Sequence, residues 1–150
     1  MKTFRFVLVI TLALVMTLWM ALATPVAAKT LKPTTYTSEQ LTSLQEYNAD
    51  LSALRERMPE LAALIQKQDW VFVRNFIRGP LGELRFKMAT VTNNLLPDAQ
   101  AKARKLSKII FSNLEAIDQA ADAAAYKAAI RNYAETIRDF DEFLKLIPQG

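Results

Sequence analysis

General acid–base chemistry in this sequence would have to rest on carboxylates or lysine, because its 150 residues include no histidine and no cysteine. The carboxylates that gather do so in three sets: Glu56 with Glu60, Asp118 with Asp122, and Glu135 with Asp139, Asp141 and Glu142. Steps of three and four residues put members of a set on one helix face, where their oxygens could serve calcium or magnesium. None is interleaved with the glycine-rich loop that a dedicated calcium site uses, and solvated faces of helical bundles carry such pairs routinely. Histidine-ligated haem and di-iron centres, disulfides, thiolate metal sites and a cysteine nucleophile are excluded by composition. The expectation is a chain that is not an enzyme and needs no metal or redox cofactor to fold.

A second group of residues points to binding. Ile77, Leu81, Leu84, Met88, Val91 and Leu95 follow one another at spacings of 4, 3, 4, 3 and 4, the period of a helix with one apolar stripe. Arg74, Arg78 and Arg85 fall within about 40° of one another along a border of that stripe, at 100° per residue. Either their stems cover the core edge while the guanidinium groups stay in water, or the strip faces an anionic partner. Gly79, Pro80 and Gly82 sit inside the same segment, although an interior glycine costs roughly 1 kcal/mol and a proline about 3. A packing or binding demand must offset that. Gly79 and Gly82 would let another backbone approach closely, and Pro80 would free the carbonyl of Phe76 for an outside donor. The candidate docking residues are therefore Arg74, Arg78, Gly79, Pro80, Gly82 and Arg85.

Two further clusters stand out, and the first is open to two readings. Phe72, Phe76 and Phe86 project roughly opposite the stripe. They are covered by the preceding chain, with Leu31 and Tyr36, or they form an exposed aromatic patch for a partner. Lys102, Arg104, Lys105 and Lys108 make a later helix locally basic, which reads as a solvated face.

The elements that must position these residues are all helical. Thr37 and Gln40 form a capping box, and Leu41, Leu44, Leu51, Leu54, Met58, Leu61 and Ile65 continue at helical spacing to about Lys67. Pro59 should kink or break this first helix, or stand in the first turn of the second of two shorter ones. Asp69 is the expected N-cap of the next helix, running to about Asn94. Asp98 caps a third, with Ala103, Leu106, Ile110, Leu114, Ile117 and Ala121 as its stripe. Asp122 is the expected start of a fourth, striped by Tyr126, Ile130, Tyr133, Ile137, Phe140, Leu144 and Ile147. No stretch alternates with a strand period. Four stripes and short connections predict an all-α fold, an up-down-up-down antiparallel four-helix bundle over residues 38–148.

The start of the chain reads as a targeting segment. A basic opening with Lys2 and Arg5 precedes an almost wholly apolar run over 6–23, and Thr24-Pro25-Val26-Ala27-Ala28 supplies a breaker and a small-residue cleavage site. Residues 1–28 are thus expected to be a signal peptide, with a retained anchor as the other reading, and 29–37 an extended leader. Without Lys2 and Arg5, 17 basic residues face 15 acidic ones, a net charge of +2. That balance gives no reason to expect nucleic acid as a partner.

The run Asp69, Trp70, Val73, Arg74, Ile77, Arg78, Gly79, Pro80, Leu81, Gly82, Glu83, Leu84 and Arg85 resembles the PsbQ family of photosystem II. The following NNLLP, the KARKL of the third helix and the closing Tyr133, Phe140, Asp141, Glu142, Phe143, Leu144 and Pro148 resemble its cyanobacterial (CyanoQ-like) members. The resemblance covers nearly all of 38–148. It implies a non-enzymatic extrinsic subunit in the thylakoid lumen, peripheral to the membrane, that supports the oxygen-evolving complex without ligating its cluster and helps retain calcium and chloride. Its implied partners are core antenna loops and other extrinsic subunits on the lumenal face. Typical cyanobacterial members are tethered by a lipidated cysteine. This sequence has no cysteine, so no lipid anchor is expected. The alternative is a free-standing periplasmic helical bundle acting as a chaperone or metal buffer.

Overall fold

Thr37 begins the helical body as its spacing predicts. Its hydroxyl accepts from the backbone N–H of Gln40 at 3.1 Å, while the Gln40 side chain accepts from the Thr37 N–H at 3.0 Å. The computed structural model describes residues 34–149. The expected signal peptide and the leader up to Pro33 lie outside the described residues. Six helices follow: α1 (Ser38–Glu56), α2 (Met58–Gln66), α3 (Trp70–Arg78), α4 (Leu84–Asn94), α5 (Pro97–Asp122) and α6 (Tyr126–Leu144), with no strand among the described residues. None of these helices is long and apolar enough to cross a membrane.

The first expected helix is two. Pro59 has no N–H to continue the ladder, so α1 stops at Glu56 and α2 starts with Pro59 in its first turn. At the end of α2 the chain reverses through Gln68, whose φ of 54° is left-handed, and the N–H of Asp69 reaches back to the Leu64 carbonyl at 3.0 Å. Asp69 does occupy the N-cap position of α3, but its side chain makes no capping bond.

The second expected helix is also divided, which corrects the continuous element read from its periodicity. Gly79 leaves helical geometry at φ −92° and ψ −88°, and residues 79–83 form a turn between α3 and α4. The apolar stripe nevertheless continues through it: Leu81 is 4% exposed and Leu84 fully buried. A periodic stripe reports which residues face the core, and a compact turn can satisfy it as well as a helix.

Two helix starts are also corrected. Pro97 takes the first position of α5 with Leu96 as N-cap, so Asp98 sits in the first turn, where the helix dipole favours a negative charge. Asp122 ends α5 and does not open α6. The reversal there passes through Ala124, at φ 51°, with the Ala125 N–H bonded to the Ala120 carbonyl at 2.8 Å.

α5 and α6 share the most extensive helix–helix face. α1 packs on α4 while α2 packs on α3, so those two stretches of chain run antiparallel. α3 and α4 both lie against α5, and α1 and α2 both lie against α6. All six expected stripe residues of α5 are buried. In α6 the buried face is rotated: Tyr126 is 38% exposed, whereas Ala129, Thr136, Asp139, Phe140 and Phe143 are buried. α6 must face both α5 and the α1–α2 pair, and alanine or threonine on that wide face carries little hydrophobic signal.

Candidate functional site

The three arginines do lie along one border, and the border meets α5. Arg74 donates to Asp122 at 2.6 Å, and its Nε lies 3.7 Å from Asp118. Arg78, the last residue of α3, donates to the other oxygen of Asp118 at 2.8 Å. Arg85, in the first turn of α4, reaches Glu115 at 3.3 Å and holds its guanidinium carbon 4.1 Å from the centre of the Phe111 ring. The guanidinium groups are therefore neither simply in water nor free to meet an anion. They are half-exposed partners of Glu115, Asp118 and Asp122. Their exposure rises along the strip, from 35% at Arg74 to 59% at Arg78 and 65% at Arg85. By spacing alone, Asp118 and Asp122 are a solvated pair or oxygen ligands for a cation, with nothing to mark them as partners of the arginines. Acids at 122, 118 and 115 stand opposite arginines at 74, 78 and 85 on an antiparallel neighbour; the steps agree at the first pair, four residues on each side, and differ at the second, seven against three, because the turn at 79–83 intervenes.

The glycines serve the chain's own turn. A Cβ on Gly79 would stand 3.0 Å from the Asn75 carbonyl oxygen, and one on Gly82 would stand 3.0 Å from that of Arg78 and 3.1 Å from that of Gly79. The backbone that approaches them is local. Nor is the Phe76 carbonyl free, since the Leu81 N–H donates to it at 3.3 Å in place of the N–H that Pro80 lacks. Gly82→Ala is accordingly expected to destabilise the protein by about 1 kcal/mol, since two fixed carbonyls must yield to one methyl group. Thermal melts of the variant check this, and an unchanged melting temperature would mean that the turn relaxes freely.

Gly82, Arg78 and Arg85 do come together. With Ile77 and Leu81 they face Phe111, Leu114 and Asp118 across a groove of about 460 Å³. Beyond Arg85, Phe111 and Glu115 a second groove of about 580 Å³ continues between α4 and α5. The aromatic group is split. Phe76 is buried, with the Arg57 guanidinium carbon 5.4 Å from its ring centre, while Phe72 and Phe86 are 57% and 68% exposed. Tyr36 packs on the core and its hydroxyl accepts from the Leu96 N–H at 3.2 Å; Leu31 lies outside the described residues.

Of the other two sets, Glu60, Asp139, Asp141 and Glu142 each go to a cation, while Glu56 and Glu135 have none within 4.0 Å among the described residues. Glu60 forms a paired contact with Arg57, whose hydrogen bonds hold it below the usual glutamate range. Asp141 takes two hydrogen bonds from Arg55, at 2.6 and 3.0 Å, tying α1 to α6. Those bonds raise the Arg55 pKa, chiefly through the Asp141 contact. Glu142 is lowered by Lys145, which bonds it at 2.8 Å, and by Lys102 across on α5 at 3.6 Å. Asp139 is buried beside Arg138 at 3.2 Å. Among the described residues no three acidic side chains converge as a metal site.

Comparison with known proteins bears on this arrangement. CyanoQ of Synechocystis sp. is 41% identical over 119 residues, covering 79% of this chain and 80% of that protein. Oxygen-evolving enhancer protein 3-1, chloroplastic, of Arabidopsis thaliana is 27% identical over 81 residues, 54% of this chain and 36% of that protein. The family model PsbQ, oxygen evolving enhancer protein 3, matches residues 14–148, so the match includes the arginine strip, the turn at 79–83 and the acidic ladder of α5. The chain belongs to the PsbQ family.

Proposed function

We propose that this chain is a non-enzymatic extrinsic subunit on the lumenal side of photosystem II, where it stabilises the oxygen-evolving complex and helps retain calcium and chloride. The observation that carries this reading is the family match over 14–148, joined to 41% identity with CyanoQ. In this reading residues 1–28 are a signal peptide, 29–37 a leader, and 38–148 an up-down-up-down four-helix bundle. The pairing of α1 with α4 and of α2 with α3 supports that architecture, as do the cross-links from Arg74–Asp122 to Arg85–Glu115. With no cysteine to lipidate, attachment rests on protein contacts. The proposed docking residues are Arg74, Arg78 and Arg85, with Gly79, Pro80 and Gly82 contributing as the turn that sets the arginines on one border. Support comes from the half-exposed guanidinium groups of Arg78 and Arg85 beside the groove at Gly82. A rigid body seated there would slow exchange of water and ions between the lumen and the cluster.

Deleting the gene should lower oxygen evolution in cells starved of calcium and chloride, with recovery when both ions are restored. The tagged chain should co-purify with photosystem II. Recovery of the chain only free of thylakoid complexes, with oxygen evolution unaffected by the deletion, would overturn the reading in favour of a free-standing bundle.

A further inference from the structure

The second groove differs from the first in charge. Arg104 and Lys108 on α5 line one end, Ala89 of α4 and Phe111 of α5 supply apolar walls, and Arg85 with Glu115 closes the other end. From Lys108 to Glu115 is about 10 Å along the helix. The cations at this end are not neutralised as the arginine strip is. Among the described residues neither Arg104, Lys105 nor Lys108 has a carboxylate within 4.0 Å, and Arg104 donates only to the neutral amide of Gln100 at 2.7 Å. All three are exposed. The hydroxyl oxygen of Ser107, also on the groove wall, is shielded from solvent and has no hydrogen-bond partner among the described residues. Positive charge without a partner beside an apolar wall asks for an anionic occupant with an apolar neighbour.

Resting on the reading of this chain as a photosystem II subunit, we propose that the groove between α4 and α5 seats an acidic segment of a photosystem protein. A carboxylate of that segment meets Arg104 and Lys108, and a neighbouring apolar side chain packs on Phe111 and Ala89. A groove of this volume holds a few side chains. Its concavity selects a protruding peptide over the flat headgroup plane of a bilayer, which could reach the exposed cations but not the recessed ring. The seat adjoins the Arg85 end of the proposed docking strip, so one partner could span both.

The test is a binding titration of labelled full-length chain onto detergent-solubilised photosystem II stripped of its own copy. R104E/K108E should bind about tenfold more weakly or worse at low salt, and should lose much of the wild type's salt dependence. A89W, which fills the groove from an exposed helical position, should lose about as much with no fall in melting temperature. K127E/R131E, the same charge change on exposed positions of α6, should stay within about twofold of wild type. Wild type that binds while both groove variants bind equally well would overturn this inference alone. Wild type that does not bind would overturn the subunit reading and this inference together. Equal losses for both charge-reversed pairs would mean a general charge effect and overturn the seat. So would losses seen only with vesicles containing anionic lipid.

Discussion

Phe140→Ala is expected to remove about 3–5 kcal/mol of folding stability, whereas Phe86→Ala should stay within about 0.5 kcal/mol of wild type. Both residues are phenylalanines on helices, and hydropathy alone cannot separate them. The structure does: Phe140 is fully buried on the face of α6 that serves both α5 and the α1–α2 pair, and Phe86 is 68% exposed. Truncating Phe140 forfeits the transfer free energy of the ring and leaves a cavity that helices packed on two sides cannot fully close. Domains of this size are stable by only about 5–15 kcal/mol, so the loss takes a large share of the total and lowers the melting temperature well below that of the wild type. Urea denaturation followed by circular dichroism checks it, through a lower midpoint at an unchanged slope. A shift below about 1 kcal/mol would mean that α6 is rotated and Phe140 lies outside the core.

That contrast also marks how far the sequence could be read. Helix type was legible throughout, because each stripe is long and its spacing regular. On α5 every residue of the expected stripe, Ala103, Leu106, Ile110, Leu114, Ile117 and Ala121, is buried, and Asn113 and Ala120 join them. On α6 it drifts, because Ala129 and Thr136 line the core while Tyr126 does not. The turn at 79–83 was hidden by its own success in keeping Leu81 and Leu84 inside. Propensity had marked Gly79, Pro80 and Gly82 as costly there, and the cost was real. It fell on the helix, which broke, and the glycines accommodate the carbonyls of that break. The arginine strip was legible as a strip, but its partners were not. Whether a guanidinium on α3 faces water or a carboxylate on α5 depends on the register between helices, which one helix's periodicity does not contain.

That register makes the arginines and their acids unequal, and the inequality can be measured. Asp118→Ala is expected to cost about 1–3 kcal/mol, while Arg78→Ala with Arg85→Ala should cost less than about 1 kcal/mol in total. Asp118 is the shared member, with one oxygen toward Arg74 and the other bonded to Arg78, and it is only 25% exposed. The Arg74 Nε is shielded from solvent without a hydrogen-bond partner, and removing Asp118 takes away one of the two carboxylates beside that guanidinium, leaving it held by Asp122 alone. Arg78 and Arg85 are more than half exposed, and water replaces much of what truncation removes. The two variants therefore separate support from docking. If the strip docks as proposed, R78A/R85A melts close to wild type yet binds photosystem II more weakly, because ion pairs that are cheap in water gain weight once a partner excludes it. D118A instead melts early and frees the Arg78 guanidinium to meet the partner, so its binding, measured well below its melting temperature, should hold. Early melting of R78A/R85A would make the arginines a clamp between the α3–α4 stretch and α5. The docking surface would then move along α5 to the basic end of the groove.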